Sequence, residues 1–245
     1  MSLNAKKAPK PQGGGSRVEQ EPLEIGDVEG RVVGICDLGI QKQRPYKGQE
    51  KPPKHMVRLT YEICDEFMVD EDGNEMEDKP RWLSEEMPFS NLDVDLAKST
   101  KRYKAIDPKD TCDGEFTSLI SPPCMVVVGQ YENKDGKVMN DITDVTSITE
   151  KKAKKLPELV NEPQVFLLDD PDIDVFNKYP EWLQDKIKSN LEYEGSLLQQ
   201  LLEGEGKPKP KPKVDKDEQE DEPTVEDEES ADEDDEEEGD WLDEE

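Results

Sequence analysis

Residues 56–64, MVRLTYEIC, alternate without a break: Val57, Leu59, Tyr61 and Ile63 fall on one face of an extended chain, and Arg58, Thr60 and Glu62 on the other. Period two commits this segment to a strand with one side in a core, because a helix would split the same four apolar residues between opposite faces. Tyr61 therefore reads as a core residue. Residues 28–38 (VEGRVVGICDL) predict a second strand, β-branched and broken by glycines as a bent strand requires. A third is predicted near 81–90, after the acidic, turn-rich DEDGNEMED. Residues 124–131 (CMVVVGQY) and 138–148 (VMNDITDVTSI) predict two more, joined as a hairpin through ENKDGK with the turn at Asp135-Gly136.

The period changes once inside this series. Across residues 93–106 (DVDLAKSTKRYKAI), Leu96, Tyr103 and Ile106 recur near helical spacing, acids lead, Lys and Arg follow, and Pro108 closes the run. Asp93-Val94-Asp95 reads as N-capping rather than as a metal-binding carboxylate pair. The predicted fold class is mainly β. Five strands with one helix between the third and fourth is the element order of an OB-fold barrel. Beyond it, EKKAKKLPELVNEP reads as a linker. Residues 176–202 predict one or two short helices bearing Trp182, Ile187 and Leu191, then Leu197, Leu198, Leu201 and Leu202.

Hydrophobic residues make up only 31% of the 245, and mean hydropathy is −0.98, so much of the chain cannot bury enough apolar surface to offset its ordering entropy. The apolar residues sit mostly between Leu23 and Leu202. Four regions are expected: a flexible N-terminal arm (1–22), the barrel domain (23–150), a linker with short helices (151–206), and a disordered Lys/Pro linker with an acidic tail (207–245). KPKPKPK (207–213) excludes helix and sheet alike. Charge divides the same way. Residues 214–245 carry 21 acids against one Lys, which is −20 of the net −30. Residues 31–58 hold seven Lys and Arg against Asp37 and Glu50. That asymmetry points to a body that binds a polyanion and a tail that does not.

Other chemistries find little footing. Cys36, Cys64, Cys112 and Cys124 lie far apart, with no C-x-x-C and a single His, so reduced structural thiols are expected and neither a metal nor another cofactor. No P-loop, G-x-S-x-G or H-E-x-x-H is present, and no catalytic residue is proposed; the protein does not read as an enzyme. No apolar run reaches the ~18 residues of a membrane span and no signal peptide is seen, which predicts a soluble, cytoplasmic protein (host cytoplasm if the source is viral).

The functional signal is the loop QKQRPYKGQEKPPK. Lys42, Arg44, Lys47, Lys51, Lys54 and His55 surround Tyr46, and Arg58 follows on the polar face of the next strand. Single strands are held by cations along their phosphates and by aromatics that stack their bases. In an OB-fold the loop joining strands 1 and 2 borders the oligonucleotide-binding face. Lys98, Lys101, Arg102 and Lys104 with Tyr103 form a second basic run on the helix; Lys101, Arg102 and Tyr103 are candidate DNA contacts, although an ordinary polar helix face is the plainer reading. Trp82 fits base stacking or the core equally. Trp241-Leu242, an apolar pair among acids, reads as an anchor for a basic pocket on a partner protein.

Taken in order, GRVVGICDLGIQ, the Lys/Pro loop, KHMVRLTYEI, DLAKSTKRYKAI, PCMVVVGQYENKDGKVMNDITDV and PEWLQDKIKSNLEY resemble the single-stranded DNA-binding proteins of tailed phages. The resemblance covers roughly residues 28–193, and the acidic, aromatic-bearing ending is also similar, although those proteins often place the aromatic last. It implies an OB-fold that binds and protects single-stranded DNA in replication, recombination or repair. It also implies recruitment of replication or recombination proteins, such as a polymerase or helicase-primase, through the tail. Two other classes stay open, a DNA-mimicking inhibitor and an adaptor that binds proteins only. The basic loop argues against the first.

Overall fold

The computed structural model describes residues 18–204. Strand β1 (Gly26–Gln41) shows why its run of apolar residues does not alternate: Val32 and Ile35 enter one core while Cys36 and Leu38 enter another, so the strand is buried on both faces. Strand β2 (Lys54–Val69) pairs antiparallel with β1 and buries Val57, Leu59, Tyr61 and Ile63. Strand β3 (Glu75–Pro88) pairs with β2. On the other edge of β1 lies β4 (Pro123–Glu132), followed by β5 (Val138–Ser147), both antiparallel. A short β6 (Gln164–Phe166) runs parallel to β1 at Gly34–Cys36, past the end of the β4 ladder.

The resulting sheet has six strands in the order β3-β2-β1-β4-β5, with β6 also on β1. No ladder joins β3 to β5, so the sheet is open. Strand count and closure both differ from the five-stranded closed barrel expected from sequence. The extra strand comes from residues 164–166, too short a run to show a period of its own.

Helix α1 (Lys98–Ile106) falls between β3 and β4, as expected, but begins five residues later than the charge pattern implied. Its N-cap is Ala97, with no side-chain cap; Asp93 and Asp95 precede it in turns, and Asp95 pairs with Lys104 at 2.6 Å. The capping role read for Asp93-Val94-Asp95 therefore fails. Leu96 is 85% exposed, whereas Tyr103 and Ile106 pack under the sheet with Phe116 and Leu119. Arg102 reaches across the sheet's opening. Its Nε donates to Glu85 of β3 at 2.8 Å, and its Nη1 pairs with Asp144 of β5.

The two hairpin turns share one construction. In residues 70–74 and 133–137, the first residue's backbone N–H donates to the fifth residue's carbonyl, and its side-chain oxygen accepts from the third and fifth backbone N–H. The second hairpin thus turns at Lys134-Asp135, with Gly136 completing it.

The stretch read as a linker is fastened to the sheet. Arg31 and Glu62 face each other across β1 and β2, yet each reaches outward instead of pairing. Arg31 donates to the carbonyls of Ser121 (2.6 Å), Pro157 (2.7 Å) and Leu156 (3.3 Å). Glu62 accepts from the backbone of Val160 (2.7 Å) and Asn161 (3.2 Å) and from the Asn161 side chain (2.7 Å). After the short helix α2 (Glu150–Ala153), helices α3 (Ile173–Lys178), α4 (Glu181–Lys188) and α5 (Leu197–Leu202) build a second core. Phe176, Leu183, Ile187 and Leu198 there meet Cys36, Leu38 and Phe166 on the sheet's outer face. The described residues after 150 thus belong to the same compact unit as the sheet.

At the other end, residues 18–22, assigned to the arm, are tied down. The Gln20 side chain exchanges hydrogen bonds with the Val69 backbone, and Leu23 is buried with its N–H on Asn140. The rest of the arm, the 207–213 linker and the acidic tail lie outside the described residues. Cys36 and Cys124 are buried, and desolvation pushes both thiols up to about 12, as befits packing groups. Among the described residues no helix is long and apolar enough to cross a membrane.

Candidate nucleic-acid interface

Residues 42–53 leave the end of β1 and return at the start of β2. At their tip, Tyr46 and Gln49 exchange two backbone hydrogen bonds of 2.9 and 3.0 Å around Lys47 (φ 50°) and Gly48 (φ 77°). Positive φ at both central residues is the type I′ pattern, which the glycine adopts without steric cost. The turn holds Tyr46 out at the loop's end, 59% exposed. Lys47 Nζ sits 5.3 Å and Lys51 Nζ 4.9 Å from the centre of its ring, both within cation–π reach. Lys42, Arg44 and Lys54 are exposed on the same loop. Among the described residues none of these five cations has a carboxylate within ion-pair distance, a property shared with other lysines such as Lys79, Lys101 and Lys134 but not with Lys98, Lys104, Lys109, Lys137, Lys152 or Lys186.

The other residues singled out from sequence are placed differently. His55 Nε2 lies 2.6 Å from Asp37, and that bond holds its pKa above the ordinary histidine value. Arg58 faces outward, as the alternation required, but is already engaged. Its Nη1 is 3.3 Å from Glu86, and its guanidinium lies 4.9 Å from the Trp182 ring centre. Trp82 is 40% exposed on the outer face, its Nε1 donating to Glu62 at 3.3 Å. Lys101 is exposed on α1.

Arg102 and Tyr103 are corrections. Both are buried, Arg102 on Glu85 and Asp144, and Tyr103 with its hydroxyl on Asp110 at 2.8 Å. At 2% and 1% exposure, neither side chain is open to a ligand in solution. Trp241 and Leu242 lie outside the described residues.

Trp182 lies outside the set of candidate residues read from sequence, yet it stands over Arg58. Sequence placed it on an apolar helix stripe with Ile187 and Leu191, but the buried pair is Leu183 and Ile187 at i, i+4, and Trp182 stands beside it, 53% exposed. The i, i+4 spacing was the available signal.

No protein-family model matches this chain, and no curated protein matches it in sequence.

Proposed function

We propose that this protein binds single-stranded DNA without strong sequence preference, as part of DNA replication, recombination or repair. The carrying observation is the 42–53 loop: an exposed tyrosine at a hydrogen-bonded turn, flanked by cations with no carboxylate within ion-pair distance among the described residues. Unpaired cations are free to replace the counterions of a phosphate backbone, and an open ring offers a face to any base. The fold proposed for this body is OB-like, with its sheet open between β3 and β5. Support comes from the strand order and from α1, whose Arg102 links the two strands that closure would bring together. The resemblance to tailed-phage single-stranded DNA-binding proteins supports the same reading, including the recruitment of replication proteins by the acidic tail.

A salt-dependent titration with labelled oligo-dT and a matched duplex tests it. Oligo-dT should bind more tightly than duplex at moderate salt. Replacing Arg44, Lys47 and Lys51 with Ala should lower the salt slope by about 0.7 for each phosphate that is no longer neutralised. Tyr46→Ala should weaken binding by about 1–3 kcal/mol with little change in slope, since it removes stacking and no charge. Equal affinity for both ligands would refute the proposal, and leave the acidic protein-binding readings standing.

A further inference from the structure

The two tryptophans among the described residues share one surface. Trp82 stands on β3 opposite Glu62, and Arg58 lies on β2 four residues from Glu62, about 13 Å at ~3.3 Å per residue. Thr60 and Leu183 line a small, largely enclosed pocket that Arg58 and Trp82 also border, and Trp182 covers the guanidinium of Arg58. An indole is a large apolar group that folding ordinarily puts inside, yet these two are 40% and 53% exposed on the same face. Helix α4 has the means to bury its aromatic and does not: Leu183 and Ile187 fill the second core, and Gln41 fixes the helix by donating to the Lys186 carbonyl at 3.0 Å. Trp182 is therefore held in place and left open.

The carboxylates between the rings are occupied, whereas Glu181 and Asp185 stand exposed beside Trp182 on α4. Glu86 is shared by Arg58 and Lys186. Glu62 is 3% exposed and turned toward the donors of Val160, Asn161 and Trp82. Neither carboxylate is left unpaired to repel a phosphate. The chain of β2 connects this surface directly to the cationic loop, which ends where β2 begins.

We infer that Trp182 and Trp82, with Arg58 between them, form a base-stacking strip that extends the loop's contacts along the outer face of β2, and that the C-terminal segment is thereby part of the nucleic-acid interface. This rests on the single-stranded DNA reading above and assigns α4 a ligand contact that the sheet strands do not supply. Arg58 serves the strip by holding the Trp182 ring in place, its own charge engaged by Glu86.

The test uses the full-length chain carrying Trp241→Phe, so that Trp82 and Trp182 are the only indoles of the three in the sequence. Saturation with oligo-dT should quench their emission. Trp182→Ala should weaken oligo-dT binding about 5- to 150-fold, the effect of removing one stacking platform, with the salt slope unchanged. Trp182→Phe should restore most of that affinity, which a purely structural role for the indole's size would not. Trp82→Ala should behave likewise. Unquenched emission at saturation overturns the inference while leaving the binding reading intact, as does parental affinity in both alanine variants. A parent that binds no oligo-dT at moderate salt removes the reading itself, before any variant is made. Should Trp182→Ala prove unfolded by circular dichroism, the quenching and the Phe variant still decide.

Discussion

His55 sits where the cationic loop meets β2, and one contact governs it: the 2.6 Å bond to Asp37, which raises its pKa, against partial burial, which works the other way. Because the folded pKa is above the unfolded one, the pair contributes its stabilisation fully below the ordinary value of about 6.5, and that stabilisation disappears as pH rises through the folded value. As the only histidine in the chain, it gives one set of ring resonances. An NMR titration should place its pKa above 6.5, and Asp37→Asn should bring it back toward that value. A parent titrating at or below 6.5 would mean the pair does not form in solution. At this scale the sequence distinguished residue types but not directions. It showed that Lys47 and Arg102 are both basic neighbours of a tyrosine. It could not show that Lys47 hangs on a turn in solvent while Arg102 is committed to Glu85 and Asp144, because those acids lie 17 and 42 positions away.

At the scale of elements, legibility followed locality. The alternation in β2 and the D-G steps in both hairpins act over a few residues, and strands and turns formed there. The start of α1 and the seating of α3–α5 depend on partners distant in sequence, and there pattern and structure part. Gly39 marks one such meeting. It adopts φ +67° at a bulge in β1, and a Cβ on it would come within 2.7 Å of both Asn190 and Leu168. Those neighbours belong to the segment that covers the outer face, with Leu191 donating its N–H to Ile40 alongside. Gly39→Ala combines left-handed backbone strain with overpacking, and should cost about 2–4 kcal/mol. Its signature should be a lowered Tm together with faster proteolysis within residues 164–204. An unchanged Tm would show that the C-terminal segment does not seat there.

For the whole molecule, charge is the property the sequence states most directly. The chain carries −30, and residues 214–245 account for −20 of it, so a version ending at residue 213 carries −10. A polyanionic ligand approaching the cationic loop works against whatever part of that charge lies within a screening length of it. Removing residues 214–245 should therefore tighten oligo-dT binding. The gain should be largest at low salt and shrink toward ~1 M, where the Debye length falls to ~3 Å from ~10 Å at 0.1 M. Trp241→Ala in the full-length chain changes no charge and should leave oligo-dT affinity at the parental value, separating electrostatic restraint from any docking by the aromatic. Titrations at two salt concentrations, with the three proteins side by side, decide it. If truncation leaves the affinity unchanged at both, the acidic stretch does not act on oligo-dT binding, and its 21 acids serve solubility or partner docking instead.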